Sequence, residues 1–189
     1  MTQTRTHERH LLVPERLTAA FLSGHVTQLR RVLSHPTRNE AQRPGVTQFL
    51  HQDGERLIFR DDVGLLPDSK SPFGPVGTTL WLKESYRAGD AGVEYRADVP
   101  PEHRGGAAFH AAIKMPRAAS RWSGTVETLR VARLHAMTDA DAQASGYVDR
   151  AAFQDAWDIR YENEPGSQWA ANPWVVTAQI SHQATRRAA

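Results

Sequence analysis

The chain has 189 residues, of which 23 are basic and 21 are acidic, so its net charge is only +2. This net charge is too small for a general polyanion-binding protein with a basic surface. Any nucleic-acid contact must therefore come from local clusters of cations. The absence of cysteine excludes disulfides and thiolate metal sites and suits a reducing cytoplasm. The first residues lack the apolar stretch of a secretory signal, and no apolar run approaches membrane-spanning length, so we expect a soluble cytoplasmic protein that does not contact membranes.

The first part of the chain predicts one helix, one strand and a long insertion. We expect a short helix over residues 14–22, which begins with a proline suited to a first helical turn and ends before Gly24, a residue type that favours helix ends. Residues 26–33 are expected to be extended. Residues 34–71 are rich in Pro, Gly, Asp, Gln and Arg, and they predict a loop-rich, partly mobile insertion with one strand-like segment at Arg56–Arg60.

The second part of the chain alternates strands with short helices. Thr138 and Asp141 have the spacing of a helix capping box, and Asp149 can cap the next helix. A turn at Gly89–Gly92 predicts a hairpin between the two strands that flank it. The predicted strands cover residues 79–86, 93–96, 123–134 and 174–180.

The order of these elements indicates the fold class. Strands at irregular intervals with short helices between them favour a mixed topology over a parallel βαβ sheet. We therefore expect a single α+β domain over residues 10–182, built on a small mixed β-barrel with short flanking helices. Residues 1–9 and 183–189 are expected to be flexible tails.

The first strand after the insertion carries a specific prediction about a charged group. Period-two alternation places Leu80, Leu82 and Glu84 on one face and Trp81 and Lys83 on the other. If the leucine face packs in the core, Glu84 points inward and needs a basic or donor partner, because an unpaired buried carboxylate is costly. The candidate partners are Arg31, Lys114, Arg117 and Arg121. The alternative places Glu84 at the rim, where the strand leaves the barrel.

A proline-containing loop downstream of this strand concentrates basic side chains. Lys114, Arg117 and Arg121 lie around a proline that restricts the turn. The forked donors of arginine in such a loop suit a phosphate or the edge of a nucleotide. The alternative is a solvated basic loop, or arginines that pair with Glu84 and Asp98.

Two further groups are candidates for ligand contact. Arg30 and Arg31 are neighbours on an extended segment and face opposite ways, so at most one of them enters the same site. Trp174 and Trp81 can stack a base, although a tryptophan in the last strand is also typical of a residue that locks the strand into the core. The nine histidines lack metal-binding spacing and no phosphate-binding or dinucleotide-binding loop is present, so we expect neither a metal nor a cofactor.

Five short strings occur in a fixed order along the chain. They are Gly24-x-x-Thr27-Gln28-x-Arg30-Arg31, Leu80-Trp81-x-x-Glu84, Tyr95-Arg96-Ala97-Asp98, Met115-Pro116-Arg117-x-Ala119-Ser120-Arg121 and Asn172-Pro173-Trp174-Val175. In this order they resemble the phage and prophage branch of the ASCH domain family, which belongs to the PUA-like superfamily. The similarity extends from His10 to about His182 and is weakest over residues 38–69.

The resemblance implies a PUA-like barrel with a cleft between the first helix and the barrel. Relatives in the family bind RNA or DNA or read modified bases, and a short bacterial branch hydrolyses N4-acetylcytidine. The catalytic lysine, threonine and glutamate of that branch correspond to Val26, Leu29 and Ser145 in this sequence. The three functional groups are therefore missing, and amide hydrolysis by that mechanism is not expected.

We therefore expect a protein that binds RNA, DNA or a nucleotide-like ligand without strong catalysis. The expected ligand-binding residues are Thr27, Arg30, Arg31, Trp81, Lys83, Glu84, Lys114, Arg117, Arg121 and Trp174. Two alternatives stay open. The first is a hydrolase of modified nucleosides with a relocated site built from Glu84 and Lys114. The second is a protein-interaction module on the same scaffold, such as a phage factor aimed at a host protein.

Overall fold

The regular structure of the described residues is mixed α+β, with mostly strands and a few short helices. The computed structural model describes residues 7–33, 48–65, 69–89 and 92–183. The strands are β1 Glu8–Leu12, β2 Gln28–Val32, β3 Gln48–Asp53, β4 Arg56–Arg60, β5 Ser69–Lys70, β6 Thr79–Lys83, β7 Tyr86–Gly89, β8 Gly92–Tyr95, β9 Ser123–Arg133 and β10 Trp174–Gln183. The α-helices are α1 Thr18–Leu22, α2 Asp139–Ala144 and α3 Arg150–Arg160, and a 3-10 turn at Glu15–Leu17 leads into α1.

A five-stranded sheet in the order β1-β6-β9-β10-β2 organises the molecule. β1 runs parallel to β6, and the other pairs of this sheet are antiparallel. The strands β3, β4 and β5 form a second antiparallel sheet, and β7 and β8 form a hairpin. The two edges of the main sheet are therefore β1 and β2, which come from the two segments that flank α1.

The main hydrophobic core lies on one face of the five-stranded sheet. Leu80 and Leu82 of β6 are fully buried there, together with side chains of α1 and of the other four strands. Leu57 and Phe59 of β4 are also fully buried in this core, so the second sheet packs onto the first. On the opposite face, α2 and α3 cover β2 and β10 with a second cluster centred on Trp157.

Two glycines are required by close packing. A Cβ at Gly124 in β9 would lie 2.4 Å from the backbone oxygen of Ser181, so only glycine lets β9 and β10 approach at this point. Gly146 has φ of +86° after the last turn of α2, and a Cβ there would lie 3.0 Å from Val26 Cγ2. Gly146 thus ends α2 in the left-handed conformation typical of helix C-termini and lets the first loop pack against it.

Most of the predicted elements are confirmed. The capping box joins the Thr138 and Asp141 side chains and backbones at the start of α2, and Asp149 accepts a hydrogen bond from the Ala152 N–H at the start of α3. The predicted hairpin is confirmed by the antiparallel pairing of β7 with β8, which brings Gly89 opposite Gly92. The strand predicted over residues 79–86 is split, because β6 ends at Lys83 and the chain leaves the main sheet before β7 begins.

The structure contains strands that the sequence did not predict. In the insertion, β4 matches the predicted segment, but β3 and β5 pair with it where mostly loop was expected. A bulge between Phe49 and His51 breaks the alternation of β3, which hides it from a period-two pattern. β1 begins at Glu8, inside the predicted N-terminal tail, and its single buried residue, Leu11, gives an edge strand no alternating signal. Residues 1–6, 34–47, 66–68 and 184–189 of the predicted tails and insertion lie outside the described residues.

Candidate functional site

The predicted ligand-binding residues do not form one site. Glu84 and Arg121 form an ion-pair network at the end of β6, and Trp81, Lys83 and Arg117 meet on the outer face of the main sheet. Three other positions, Thr27, Lys114 and Trp174, lie apart from both groups and from the cleft between β1 and β2. Arg30 and Arg31 both line that cleft.

Glu84 is buried and paired with arginine, as the alternation of β6 predicts. Its side chain is 3% exposed, and its two oxygens accept hydrogen bonds from Arg121 Nε at 3.0 Å and Nη2 at 2.8 Å. Arg121 also donates to both oxygens of Asp98, one of them at 3.0 Å. Burial alone would lower the pKa of Arg121, but the hydrogen bonds and charges of Glu84 and Asp98 outweigh it and raise the pKa.

The network around Arg121 is structural. The guanidinium stacks on the ring of Tyr95 at 4.0 Å, and the Tyr95 hydroxyl donates to the carbonyl of Ala119 at 2.7 Å. Burial raises the pKa of Tyr95, and Glu84 and Asp98 raise it further against the opposing charge of Arg121. Arg121 therefore connects the end of β6 to the segments that contain Asp98 and Ala119. These contacts match the alternative from the sequence in which arginines of the basic loop pair with Glu84 and Asp98.

Trp81 is the centre of a cation–aromatic cluster on the outer face of β1 and β6. The Lys83 ammonium lies 5.3 Å from the indole centroid and the Arg117 guanidinium lies 5.6 Å from it. The His10 ring, opposite Trp81 in the parallel register, has its centroid 5.8 Å away. Lys83 also donates to the carbonyl of Ile113 at 2.6 Å, so the cluster holds the basic loop against the sheet.

The remaining predicted residues lie outside both clusters. The Lys114 side chain is exposed, and only its carbonyl accepts a hydrogen bond, from the Tyr86 hydroxyl at 3.3 Å. Thr27 is exposed, and its backbone joins β10 and the end of α2. The Trp174 ring packs edge-on against Phe59, with 5.6 Å between the ring centroids. This contact matches the alternative in which Trp174 holds the last strand in the core.

A cleft of about 660 Å³, counting the part open to solvent, lies between the two edge strands of the main sheet. One wall comes from the end of β1, the turn after it and α1, and the other comes from β2 and one face of α3. Apolar and aromatic side chains line most of it, including Phe21, Tyr147 and Trp157. Its charged lining residues within the described chain are Arg30, Arg31 and Arg160, and none is acidic.

Arg31 is the unusual cation of this cleft. Its side chain makes no hydrogen bond or ion pair with any residue in the described part of the chain. Burial lowers the pKa of Arg31, the nearby charge of Arg160 lowers it further, and Tyr161 opposes them weakly. Because arginine stays protonated under ordinary conditions, the cleft contains a partly buried positive charge that no acidic side chain of the described residues compensates.

Arg30 also lines the cleft, but its guanidinium lies on the opposite face of β2 from Arg31, where Asp141 partly compensates its charge. Arg30 Nε donates to Thr177 Oγ1 at 3.0 Å, and Arg30 Nη2 lies 3.7 Å from Asp141 Oδ2. Asp141, the capping-box residue of α2, also accepts a hydrogen bond from Gln28 Nε2 at 2.9 Å. Although burial opposes it, the hydrogen bonds from Thr138 and Gln28 and the charge of Arg30 lower the pKa of Asp141. The pKa of Arg30 is lowered by burial, which outweighs Asp141.

The three positions that the ASCH resemblance matches to hydrolase residues are Val26, Leu29 and Ser145, and none of them offers a catalytic group to the cleft. Val26 is buried in the main core at 3% exposure, and Leu29 lines the cleft with an aliphatic side chain. Ser145 also lines the cleft, but its hydroxyl donates to the Asp141 carbonyl at 2.8 Å and so completes the last turn of α2.

Sequence reasoning missed Gln28 and Arg160 as cleft residues. A signal for Arg160 was present, because Phe153, Ala156, Trp157 and Arg160 recur at the three- and four-residue spacing of one helical face. Projecting the apolar face of α3 by one more turn places Arg160 beside the cleft. Gln28 carried no such signal, since its role depends on Asp141, which is distant in sequence.

Comparison with known proteins adds no relative. No family model matches the chain, and no curated protein or solved structure is detectably similar to it. Among the described residues, no group of three histidine or acidic side chains is placed to hold a metal ion. Within the same residues, no helix has both the length and the apolar character needed to span a membrane.

Proposed function

We propose that the protein binds a nucleic acid or a nucleotide-like ligand in the cleft between β1, α1, β2 and α3. The observation that carries the proposal is Arg31, a partly buried cation without an acidic partner in the described residues. An uncompensated guanidinium in an apolar wall is costly to the free protein, and an anionic ligand removes that cost. Arg160, on the opposite wall, adds a second cation to the same space.

The walls of the cleft favour an anion that carries an aromatic or apolar body. Phe21, Tyr147 and Trp157 line the space together with aliphatic residues of β1 and α1. Small-molecule sites commonly combine such apolar walls with a few convergent polar groups. A phosphate at the arginines and a base against the aromatic side chains fit this composition, whereas a simple inorganic anion would leave the apolar walls unused.

We further propose that the scaffold is a small open barrel of the PUA-like type and that the chain is an ASCH-like protein. The two edge strands, β1 and β2, both line the same cleft, which is the arrangement of a sheet that curves until its edges face each other. α1 lies in the gap between them. In the ASCH resemblance the ligand cleft also lies between the first helix and the barrel, and Leu29 and Ser145 in this cleft support binding without strong catalysis.

The binding test uses Arg31→Met and a matched arginine elsewhere. Arg130 in β9 is exposed, does not line the cleft and serves as the control in Arg130→Met. We expect nucleoside 5′-monophosphates and short single-stranded oligonucleotides to bind the wild-type protein in titration calorimetry. Arg31→Met should abolish this binding, Arg130→Met should preserve it, and added salt should weaken it. No binding at low ionic strength, or equal binding by both variants, would refute the proposal.

The contacts of the described residues support neither of the two alternative functions, the hydrolase with a relocated site and the protein-interaction module. A relocated hydrolase site requires Glu84 beside Lys114, but both oxygens of Glu84 bind Arg121, and Lys114 is exposed. A pure interaction scaffold predicts a cleft filled by apolar side chains. Of the three residues expected to fill it, Val26 and Met115 are buried away from the cleft lining, whereas Leu29 does line the cleft. The space between the edge strands is nevertheless open.

A further inference from the structure

Two buried polar atoms of the cleft residues have no hydrogen-bond partner in the described part of the chain. They are Gln28 Oε1 and Arg30 Nη1. Gln28 is 4% exposed and the Arg30 side chain is 6% exposed, so bulk water does not solvate them. Buried polar atoms are nearly always paired in folded proteins, and an unpaired donor and acceptor in one cleft require an explanation.

Asp141 determines which atoms are left unpaired. Because a carboxylate only accepts, the Gln28 amide must turn its nitrogen toward Asp141, and its oxygen then faces away. Arg30 uses Nε for Thr177 and directs Nη2 toward Asp141, which leaves Nη1. The two atoms therefore differ in kind, since one is an acceptor and the other is a donor.

We infer that Gln28 and Arg30 form a recognition pair for the edge of a nucleobase. Because both atoms are closed to solvent in the free protein, the ligand must displace the side chains that cover them. A ligand N–H would then donate to Gln28 Oε1, and a neighbouring carbonyl or ring nitrogen would accept from Arg30 Nη1. A phosphate cannot satisfy Gln28, because a phosphate oxygen also accepts. The inference rests on the proposed function and deepens it: the phosphate belongs to Arg31 and Arg160, and the base edge belongs to Gln28 and Arg30.

The competing explanation is a buried water that serves both atoms. A water can donate to Gln28 and accept from Arg30, and polar cavities commonly hold one. In that case the pair has no preference for a base. The two explanations differ in one measurable quantity, which is the contribution of the base to affinity.

The experiment compares ligands with and without a base. Titration calorimetry measures the binding of the four ribonucleoside 5′-monophosphates and of ribose 5-phosphate to the wild-type protein, to Gln28→Met and to Gln179→Met. Gln179 is exposed and lies opposite Gln28 on β10, so it is the matched control. We expect at least one nucleotide to bind tenfold or more tightly than ribose 5-phosphate. Gln28→Met should remove that advantage and leave ribose 5-phosphate binding unchanged.

The outcomes separate the two proposals. If none of the ligands binds, the proposed function is wrong. If ribose 5-phosphate binds as well as every nucleotide, or if Gln28→Met weakens all ligands equally, the recognition pair is refuted while the anion site stands. Should Gln28→Met fail to fold, Arg30→Lys gives the same comparison, because it removes Nη1 and keeps a cation near Asp141.

Discussion

Removing Arg121 should destabilise the protein far more than neutralising Glu84. Arg121→Met leaves the Glu84 carboxylate, whose side chain is 3% exposed, without its counter-charge and without either of its side-chain hydrogen bonds. Stranding a buried charge in this way costs about 3–5 kcal/mol. The loss of the Asp98 contact adds little, because the Asp98 side chain is 53% exposed and water screens the pair.

Glu84→Gln perturbs the same pair in a milder way. The amide oxygen still accepts a hydrogen bond from Arg121, and Asp98 still neutralises the guanidinium, so the expected cost is about 1–2 kcal/mol. The double variant that combines Arg121→Met with Glu84→Gln leaves no buried charge at this site and should be more stable than Arg121→Met alone. The free energy of unfolding from urea titration at pH 7 measures all three variants. If Arg121→Met lowers the free energy of unfolding no more than Glu84→Gln does, the buried Glu84 carboxylate does not depend on Arg121, and the structural role assigned to this network is wrong.

Three further results are expected. Gly124→Ala should lower the free energy of unfolding by about 1–3 kcal/mol, because β9 or β10 must move, whereas the exposed Gly105→Ala should leave urea unfolding unchanged. Because the pKa of Asp141 is lowered from 3.8, its ionised carboxylate adds to the free energy of unfolding at neutral pH, and this stabilisation is lost as the pH falls below 3.8. The difference in stability between wild type and Asp141→Asn should therefore shrink at pH 3, and a constant difference from pH 7 to pH 3 would contradict the assignment. Arg31→Met should leave the thermal midpoint of the free protein unchanged or raise it, because it removes an uncompensated charge; a clear fall would indicate a structural role for Arg31.

Local signals predicted the elements that local chemistry determines. The Thr138–Asp141 capping box and Gly146 set the ends of α2, and both depend on residues only a few positions apart. The alternation of Leu80, Leu82 and Glu84 indicated that the carboxylate could point inward and would then need a basic partner, but it left a position at the rim open. The structure buries Glu84. The alternation could not choose among four basic candidates, because that choice depends on the path of the loop before β9.

The cleft could not be predicted in the same way. Its walls come from β1, β2 and α3, and β1 carries too few buried residues to be recognised as a strand. The sequence indicated correctly that Arg30 and Arg31 face opposite ways. Which of the two lacks an acidic partner among the described residues depends on Asp141, more than a hundred positions later in the chain. Contacts at such separation leave no periodic trace in a single sequence.

Asp141 explains why the cleft keeps an excess of positive charge. This one carboxylate accepts hydrogen bonds at the start of α2, orients Gln28 and partly compensates Arg30. It acts on the face of β2 that α2 covers, so it leaves Arg31 and Arg160 on the cleft walls uncompensated within the described residues. Two unbalanced arginines match the charge of a terminal phosphate, which is about −1.5 to −2 at neutral pH, better than the single charge of a phosphodiester. Under the proposed function, this charge distribution favours a ligand whose phosphate is terminal, with its base directed toward the side of β2 that Asp141 organises.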